Sequence, residues 1–195
     1  MIYLIDDDPA VREALSLLLQ TYDLALTCYS SPADCLAHLD RQRPGVLIMD
    51  LRMPLMSGLQ LHEQLQAQGV DWPAIVITGH GDLHSCRRAF KAGVTDFLTK
   101  PIEEQTLLKA IESAQAILAQ QAERNEARQA LQALTERERE VLELITKGLG
   151  SKEIASALDI SVRTIDTHRA KLAEKLGTGS VAEQTRLLLA AASQA

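Results

Sequence analysis

Over the first 118 residues, short apolar runs alternate five times with amphipathic stretches, and that alternation constrains the fold more than any other feature. The apolar runs are Ile2–Ile5, Leu24–Tyr29, Val46–Met49, Ala74–Thr78 and Thr95–Leu98. Helical patterns lie between and after them, over Pro9–Leu19, Pro32–Leu39, Leu59–Gln68, Leu83–Ala92 and Glu103–Leu118. Asp8-Pro9 and Ser31-Pro32 each combine an N-capping side chain with proline at the first helical position. Strands and helices in strict alternation predict a doubly wound, five-stranded parallel sheet covered on both faces.

The rhythm changes at Leu134, after which the pattern is helical throughout. Thr135-Glu136-Arg137-Glu138 reads as a capping box opening a helix to about Lys147, with Gly148 and Gly150 punctuating its end. Ser151 is placed to cap a short helix ending at Leu158, and Asp159-Ile160-Ser161 makes a tight connection. A third helix runs Val162–Leu176, closed by Gly177, and a fourth spans Val181–Ala192. Between the two regions, Ala119–Ala130 favours helix but holds no large apolar residue, so it reads as a solvated helical linker outside any core. Arg124 and Arg128 are like charges four apart and predict fraying there. The expected domains are therefore 1–118, a linker over 119–133, and 134–195, an all-α four-helix unit.

The chain's 46% hydrophobic and 24% charged residues suit a globular protein rather than a disordered one. No apolar run approaches a membrane span, and the N-terminus lacks the layout of a secretory signal. Cys28, Cys35 and Cys86 are few and without metal-type spacing, which fits reduced thiols and a cytoplasmic location. Residues 1–120 hold nine Lys/Arg against fifteen Asp/Glu, whereas residues 144–180 hold six against four. The second region is only mildly basic, so charge alone does not announce a nucleic-acid binder.

In a sheet of order 2-1-3-4-5, ligands bind outside the carboxyl ends of the strands, at the switch between strands 1 and 3. Strand 1 runs into Asp6-Asp7-Asp8, strand 3 into Asp50, strand 4 ends at Thr78, and strand 5 leads to Lys100-Pro101. All of these fall at one edge. Clustered carboxylates repel by roughly 4 kcal/mol per pair at an effective dielectric of about 20, so such a site requires raised pKa values or a cation. Oxygen ligands on a rigid sheet edge suit Mg²⁺. A carboxylate beside Mg²⁺ can attack a phosphoryl group in line, with Thr78 bonding a phosphoryl oxygen and Lys100 supplying opposite charge.

The runs Ile5-Asp6-Asp7-Asp8, Asp50-Leu51-Arg52-Met53-Pro54 with Ser57-Gly58, Ile77-Thr78-Gly79-His80-Gly81-Asp82 and Phe97-Leu98-Thr99-Lys100-Pro101 resemble the receiver domain of two-component response regulators. The resemblance covers about residues 1–118 and implies a flavodoxin-like sheet. It further implies that Asp50 is the phosphoacceptor, and that Asp6, Asp7, Asp50 and the backbone carbonyl of Arg52 hold Mg²⁺. Thr78 and Phe97 are then the switch pair, Lys100 the phosphate-binding lysine, and Lys100-Pro101 a cis peptide. Gly79-His80-Gly81-Asp82 is similar to the FixJ-type subgroup, from which Leu83–Arg88 departs by being more polar and basic. His80, His84 and Cys86 match no established metal-ligand spacing. A haloacid-dehalogenase-like phosphatase also uses an aspartyl nucleophile, but it requires a second Asp two residues on, where this chain has Arg52.

In the C-terminal region, Ile165, His168 or Arg169, Leu172 and Leu176 repeat at helical spacing and are expected to face inward. That leaves Arg163, Thr164, Asp166, Thr167, Ala170 and Lys171 outward. Two short helices joined by three residues read as a helix-turn-helix, whose second helix enters the major groove, or as a small helical adaptor. Thr167 and Ala170 suit thymine methyls and Asp166 suits cytosine N4. Lys152, Arg163, Arg169, Lys171 and Lys175 suit phosphates. Leu134–Glu138, Ser151–Ala155, Ile160–Ile165 and His168–Leu172, closing with Lys175-Leu176-Gly177, resemble a LuxR-type DNA-binding domain. Together the two resemblances imply a transcriptional regulator rather than an enzyme. Its expected partners are a sensor histidine kinase, double-stranded promoter DNA, a second copy of the chain on phosphorylation, and RNA polymerase, with no membrane.

Overall fold

The computed structural model describes residues 1–79 and 83–192, leaving aside the side chains of residues 83–85. His80, Gly81, Asp82 and the side chain of His84 therefore lie outside the described residues. The chain divides into two compact units, Met1–Ala119 and Gln120–Ala195.

The first unit contains β1 (Ile2–Ile5), α1 (Pro9–Gln20), β2 (Leu26–Tyr29), α2 (Pro32–His38), β3 (Val46–Asp50), α3 (Gly58–Ala67), β4 (Ala74–Thr78), α4 (Leu83–Lys91), β5 (Asp96–Thr99) and the start of α5 (Glu104–Gln132). All neighbouring strands pair in parallel, in the order β2-β1-β3-β4-β5, which is the expected doubly wound sheet. Successive side chains of a strand point to opposite faces, and here both faces are covered. Tyr3, Ile5, Leu47, Met49 and Val76 pack with Leu61 and Leu65 of α3 and Ala89 of α4. Ile2, Leu4, Ile48, Ile75 and Ile77 pack with Leu15 and Leu19 of α1 and Leu107 and Ile111 of α5. Burying each such side chain contributes about 1.5–3 kcal/mol, which explains why the strands read as unbroken apolar runs.

Element starts follow side-chain caps. Asp8 accepts from Ala10 N and Ser31 accepts from Asp34 N, as the two Pro-led motifs predict. The third helix starts one residue earlier than its apolar pattern, at Gly58, with Ser57 as N-cap in a capping box with Gln60. Gly58 has a different role, because a Cβ there would lie 2.3 Å from the main-chain oxygen of Asp50.

The second unit contains the end of α5, then α6 (Glu136–Thr146), α7 (Ser151–Leu158), α8 (Val162–Leu176) and α9 (Val181–Ala192). Val141, Leu142, Ile145, Ile154, Ile165 and Leu172 form its core. Thr135 and Glu138 cap α6 reciprocally, and Gly177 closes α8 in the left-handed conformation at φ 69°. At α7 the N-cap is Gly150, and Glu153 Oε2 accepts from its N–H at 2.7 Å, so Ser151 is already inside the helix.

The stretch Ala119–Ala130 departs from its solvated reading. It is helical, but Ala127 is fully buried and Leu131, one residue beyond it, packs on the unit's core. A methyl group allows close approach without producing an apolar stripe, so sequence periodicity does not register it. The helix is unbroken through Arg124 and Arg128, and Arg128 Nε donates to the carbonyl of Ala191 at 3.3 Å.

Candidate functional site

Strand register assembles the polar residues at one edge. Ile5 pairs with Met49 and Asp50 with Ile77, so Asp6 follows directly beside the end of β3. Thr78 pairs with Thr99, and Lys100 N donates to Thr78 O at 2.7 Å, which holds Lys100 at the same edge. The Lys100–Pro101 peptide is cis, as expected. Asp6, Asp50 and Thr78 are all buried, at 1%, 7% and 1% exposure.

Lys100 Nζ lies 3.0 Å from Asp6 Oδ2 and 2.8 Å from Asp50 Oδ1, bridging the two carboxylates. Burial works against its charge, but the hydrogen bonds to Asp50 and Asp6 prevail, and the lysine pKa is raised. The other oxygen of Asp50, Oδ2, accepts from Arg52 N at 2.6 Å. Asp6 Oδ1 accepts from Asp8 N at 2.9 Å. The β3–α3 loop is tied in turn by Leu51 N donating to Ile77 O at 2.7 Å and Gly58 N to Leu51 O at 3.1 Å. The nucleophile candidate is thus held at both ends of its strand terminus, with one carboxylate oxygen on an ammonium and the other on a backbone N–H.

The structure brings together Asp6, Asp50 and Lys100, and leaves the side chain of Asp7 exposed. Among the described residues no three His, Cys, Asp or Glu side chains are gathered closely enough to enclose a metal. The ammonium of Lys100 balances the charge of Asp6 and Asp50. The donor chemistry fits Mg²⁺ nonetheless: carboxylates that share one ammonium can share one small hard cation, with waters completing the shell. Phe97 is half-buried and packs against the β-sheet core through the face that carries α3 and α4. Sequence reasoning missed Arg12, whose guanidinium donates to the main-chain carbonyl of Asp6 at 2.7 Å. An arginine four residues after Asp8, on the first turns of α1, was the available signal.

In the second unit, Ile165 and Leu172 fix the rotation of α8 by full burial. Arg163, Thr164, Asp166, Thr167, Ala170 and Lys171 are exposed, as is Lys152 on α7, whereas His168 and Arg169 are both half-buried. Thr167 Oγ1 donates to Arg163 O at 2.9 Å, so its hydroxyl serves the helix. Lys175, expected at a phosphate, is engaged within the unit. Its Nζ lies 2.7 Å from Glu138 Oε2 and donates to Ala133 O at 3.2 Å. A buried carboxylate, 3% exposed, recruits the nearest cation, and the bond from Lys175 followed by that from Thr135 N holds Glu138 at a pKa of about 2.

Comparison with known proteins agrees with both halves of this picture. Residues 2–112 match the response regulator receiver domain family, and residues 132–188 match the bacterial regulatory proteins of the luxR family. The chain is 40% identical over 193 residues to the transcriptional regulatory protein FixJ of Rhizobium meliloti (strain 1021), covering 97% of this chain and 95% of that protein. It is 38% identical over 185 residues to the tetrathionate response regulatory protein TtrR of Salmonella typhimurium, covering 95% and 90%. Among solved structures, the response regulator StyR superposes with a TM-score of 0.74 at 38% identity, covering 96% of this chain and 97% of that one. Full-length FixJ from B. japonicum superposes at 0.59 and 36% identity, covering 97% and 96%. With a receiver fold whose strand ends converge on Asp50 and a helical unit of the luxR family behind it, this chain belongs to the two-component response regulators that carry a LuxR-type DNA-binding domain.

Proposed function

We propose that the protein is a phosphorylation-activated transcriptional regulator in which Asp50 accepts a phosphoryl group from a sensor histidine kinase. The observation that carries this is the Asp6–Lys100–Asp50 bridge, which holds one buried carboxylate oxygen 2.8 Å from an ammonium at a sheet edge. In the transfer, a carboxylate oxygen of Asp50 forms a bond to phosphorus as the bond from phosphorus to the donor's imidazole nitrogen breaks. Asp6, Asp7, Asp50 and the carbonyl of Arg52 would hold Mg²⁺, which would supply positive charge to offset the transferring oxygens. Lys100 exchanges a carboxylate partner for a phosphoryl oxygen, and Thr78 donates to another.

The phosphoryl group adds a charge of about −1.5 to −2. Drawing Thr78 toward it lets Phe97 move inward and changes the face formed by α4, β5 and α5. That face pairs with a second copy, and the dimer presents two α8 helices to two half-sites of promoter DNA. Phosphorylation shifts a population, so the phosphoryl group must bind the active conformation better than the inactive one. On the DNA, Thr164, Asp166, Thr167 and Ala170 meet base edges, while Lys152, Arg163, Arg169 and Lys171 meet phosphates. The DNA-bound dimer offers a surface to RNA polymerase.

The test is promoter affinity for wild type and Asp50→Asn, each with and without acetyl phosphate and Mg²⁺. Acetyl phosphate is expected to tighten DNA binding by wild type alone. Identical affinity under all four conditions would show regulation independent of phosphorylation, and no salt-dependent DNA binding at all would leave only a phosphoryl-transfer role.

A further inference from the structure

Asp6 is 1% exposed, and each of its oxygens has a partner. Asp8 N donates to Oδ1, Lys100 Nζ meets Oδ2, and the Arg12 guanidinium donates to the main-chain carbonyl at 2.7 Å. Of these three, the arginine bond is the one that nothing in the phosphoryl chemistry requires. β1 ends at Ile5, so the carbonyl of Asp6 lies past the last paired residue of the strand. A buried carbonyl in that position needs a donor from elsewhere.

Arg12 is well anchored to supply one. Its N–H donates to Asp8 O at 3.1 Å and its own carbonyl accepts from Ser16 Oγ at 2.6 Å, so its backbone belongs to a firm part of α1. From there the half-buried side chain returns to the strand end, spanning the turn that contains Asp6, Asp7 and Asp8. Two effects on a divalent cation follow, and they oppose each other. As a positive charge near three aspartates, Arg12 repels the cation. As a tether, it fixes the turn from which two of the cation's carboxylates come.

We propose that the tether prevails: Arg12 is a positioning residue for Mg²⁺, locking the β1–α1 turn so that Asp6 and Asp7 meet the cation beside Asp50. The inference rests on the proposed phosphoacceptor reading of this pocket. Groups that orient metal ligands characteristically change metal affinity when removed, by about 10–100-fold.

The experiment is calorimetric titration of Mg²⁺ into the unphosphorylated full-length protein, with urea unfolding followed by Trp72 fluorescence as a control for folding. Arg12→Met keeps the apolar stem and removes both charge and donors, and it is expected to raise the Mg²⁺ Kd about tenfold. Arg12→Lys keeps the charge on a shorter, non-planar head and is expected to raise it about threefold, which also secures the test if the methionine variant does not fold. A folded Arg12→Met that binds Mg²⁺ as tightly as wild type, or more tightly, overturns the proposal, as does wild-type affinity in Arg12→Lys. A wild-type chain that takes up no Mg²⁺ overturns the underlying reading of the pocket and the role of Arg12 with it.

Discussion

Replacing Glu138 with glutamine isolates one charge in the second unit. Glu138 Oε2 accepts from Lys175 Nζ at 2.7 Å and from Thr135 N at 2.9 Å, and the residue is 3% exposed. Glutamine preserves shape and an acceptor for Thr135 but loses the charge that Lys175 answers. Moving a carboxyl from 4.5 to about 2 converts to about 3 kcal/mol at ~1.4 kcal/mol per tenfold change in proton affinity. The head of Lys175 is partly exposed, and solvent screening brings the expected loss to about 2 kcal/mol. Against the ~5 kcal/mol typical of a small domain, that is a large fraction.

The aromatic residues separate the two units in the assay. Trp72, all three tyrosines and both phenylalanines precede residue 98, so Trp72 fluorescence follows the first unit while far-UV circular dichroism follows both. Glu138→Gln is expected to lower the urea midpoint of the helical signal by about 1–2 M and to leave the Trp72 transition in place. Because the folded pKa is depressed, the charge contributes fully above pH 4.5 and is lost as pH falls from there toward about 2. The difference between wild type and variant should therefore close over that interval. An unchanged midpoint, or a difference of the same size at pH 7 and pH 2.5, would refute the reasoning.

Other expectations concern the two faces of function. Gly58→Ala forces a Cβ to 2.3 Å from the carbonyl of Asp50 and is expected to cost about 1–3 kcal/mol in Trp72-monitored unfolding, with slower labelling of Asp50 by acetyl phosphate; a neutral outcome would place the loop further from the strand. On α8, Thr167→Arg is expected to alter base preference in a binding-site selection, whereas Lys171→Ala weakens all sites alike and lowers the salt dependence by about one ion. Uniform losses in both variants would contradict the rotation that Ile165 and Leu172 impose.

Much of the first unit was legible because its signals are local. Apolar runs such as Val46–Met49 mark buried strands, Asp8-Pro9 and Ser31-Pro32 mark helix starts, and known sheet order then brings Asp6 beside Asp50. Contacts between distant positions were not legible. Lys175 read as a phosphate ligand by its place on a basic helix, yet it answers Glu138, 37 residues away. Arg12 carries no periodic signal, and its partner is a main-chain carbonyl that any residue could provide. Ala127 shows the limit of hydrophobic patterning, since a small side chain can be fully buried without appearing apolar enough to count. The Ser57–Gln60 capping box was present in the sequence but hidden by the more conspicuous glycine between them.

The central claim is that Asp50 is the phosphoacceptor, and intact-protein mass measurement after incubation with acetyl phosphate and Mg²⁺ tests it most directly. One phosphoryl group adds about 80 Da, a mass fixed by its chemistry. Wild type is expected to gain that increment once, Asp50→Ala to gain none, and chelation of Mg²⁺ to abolish the gain. Equal labelling of wild type and Asp50→Ala would contradict the account.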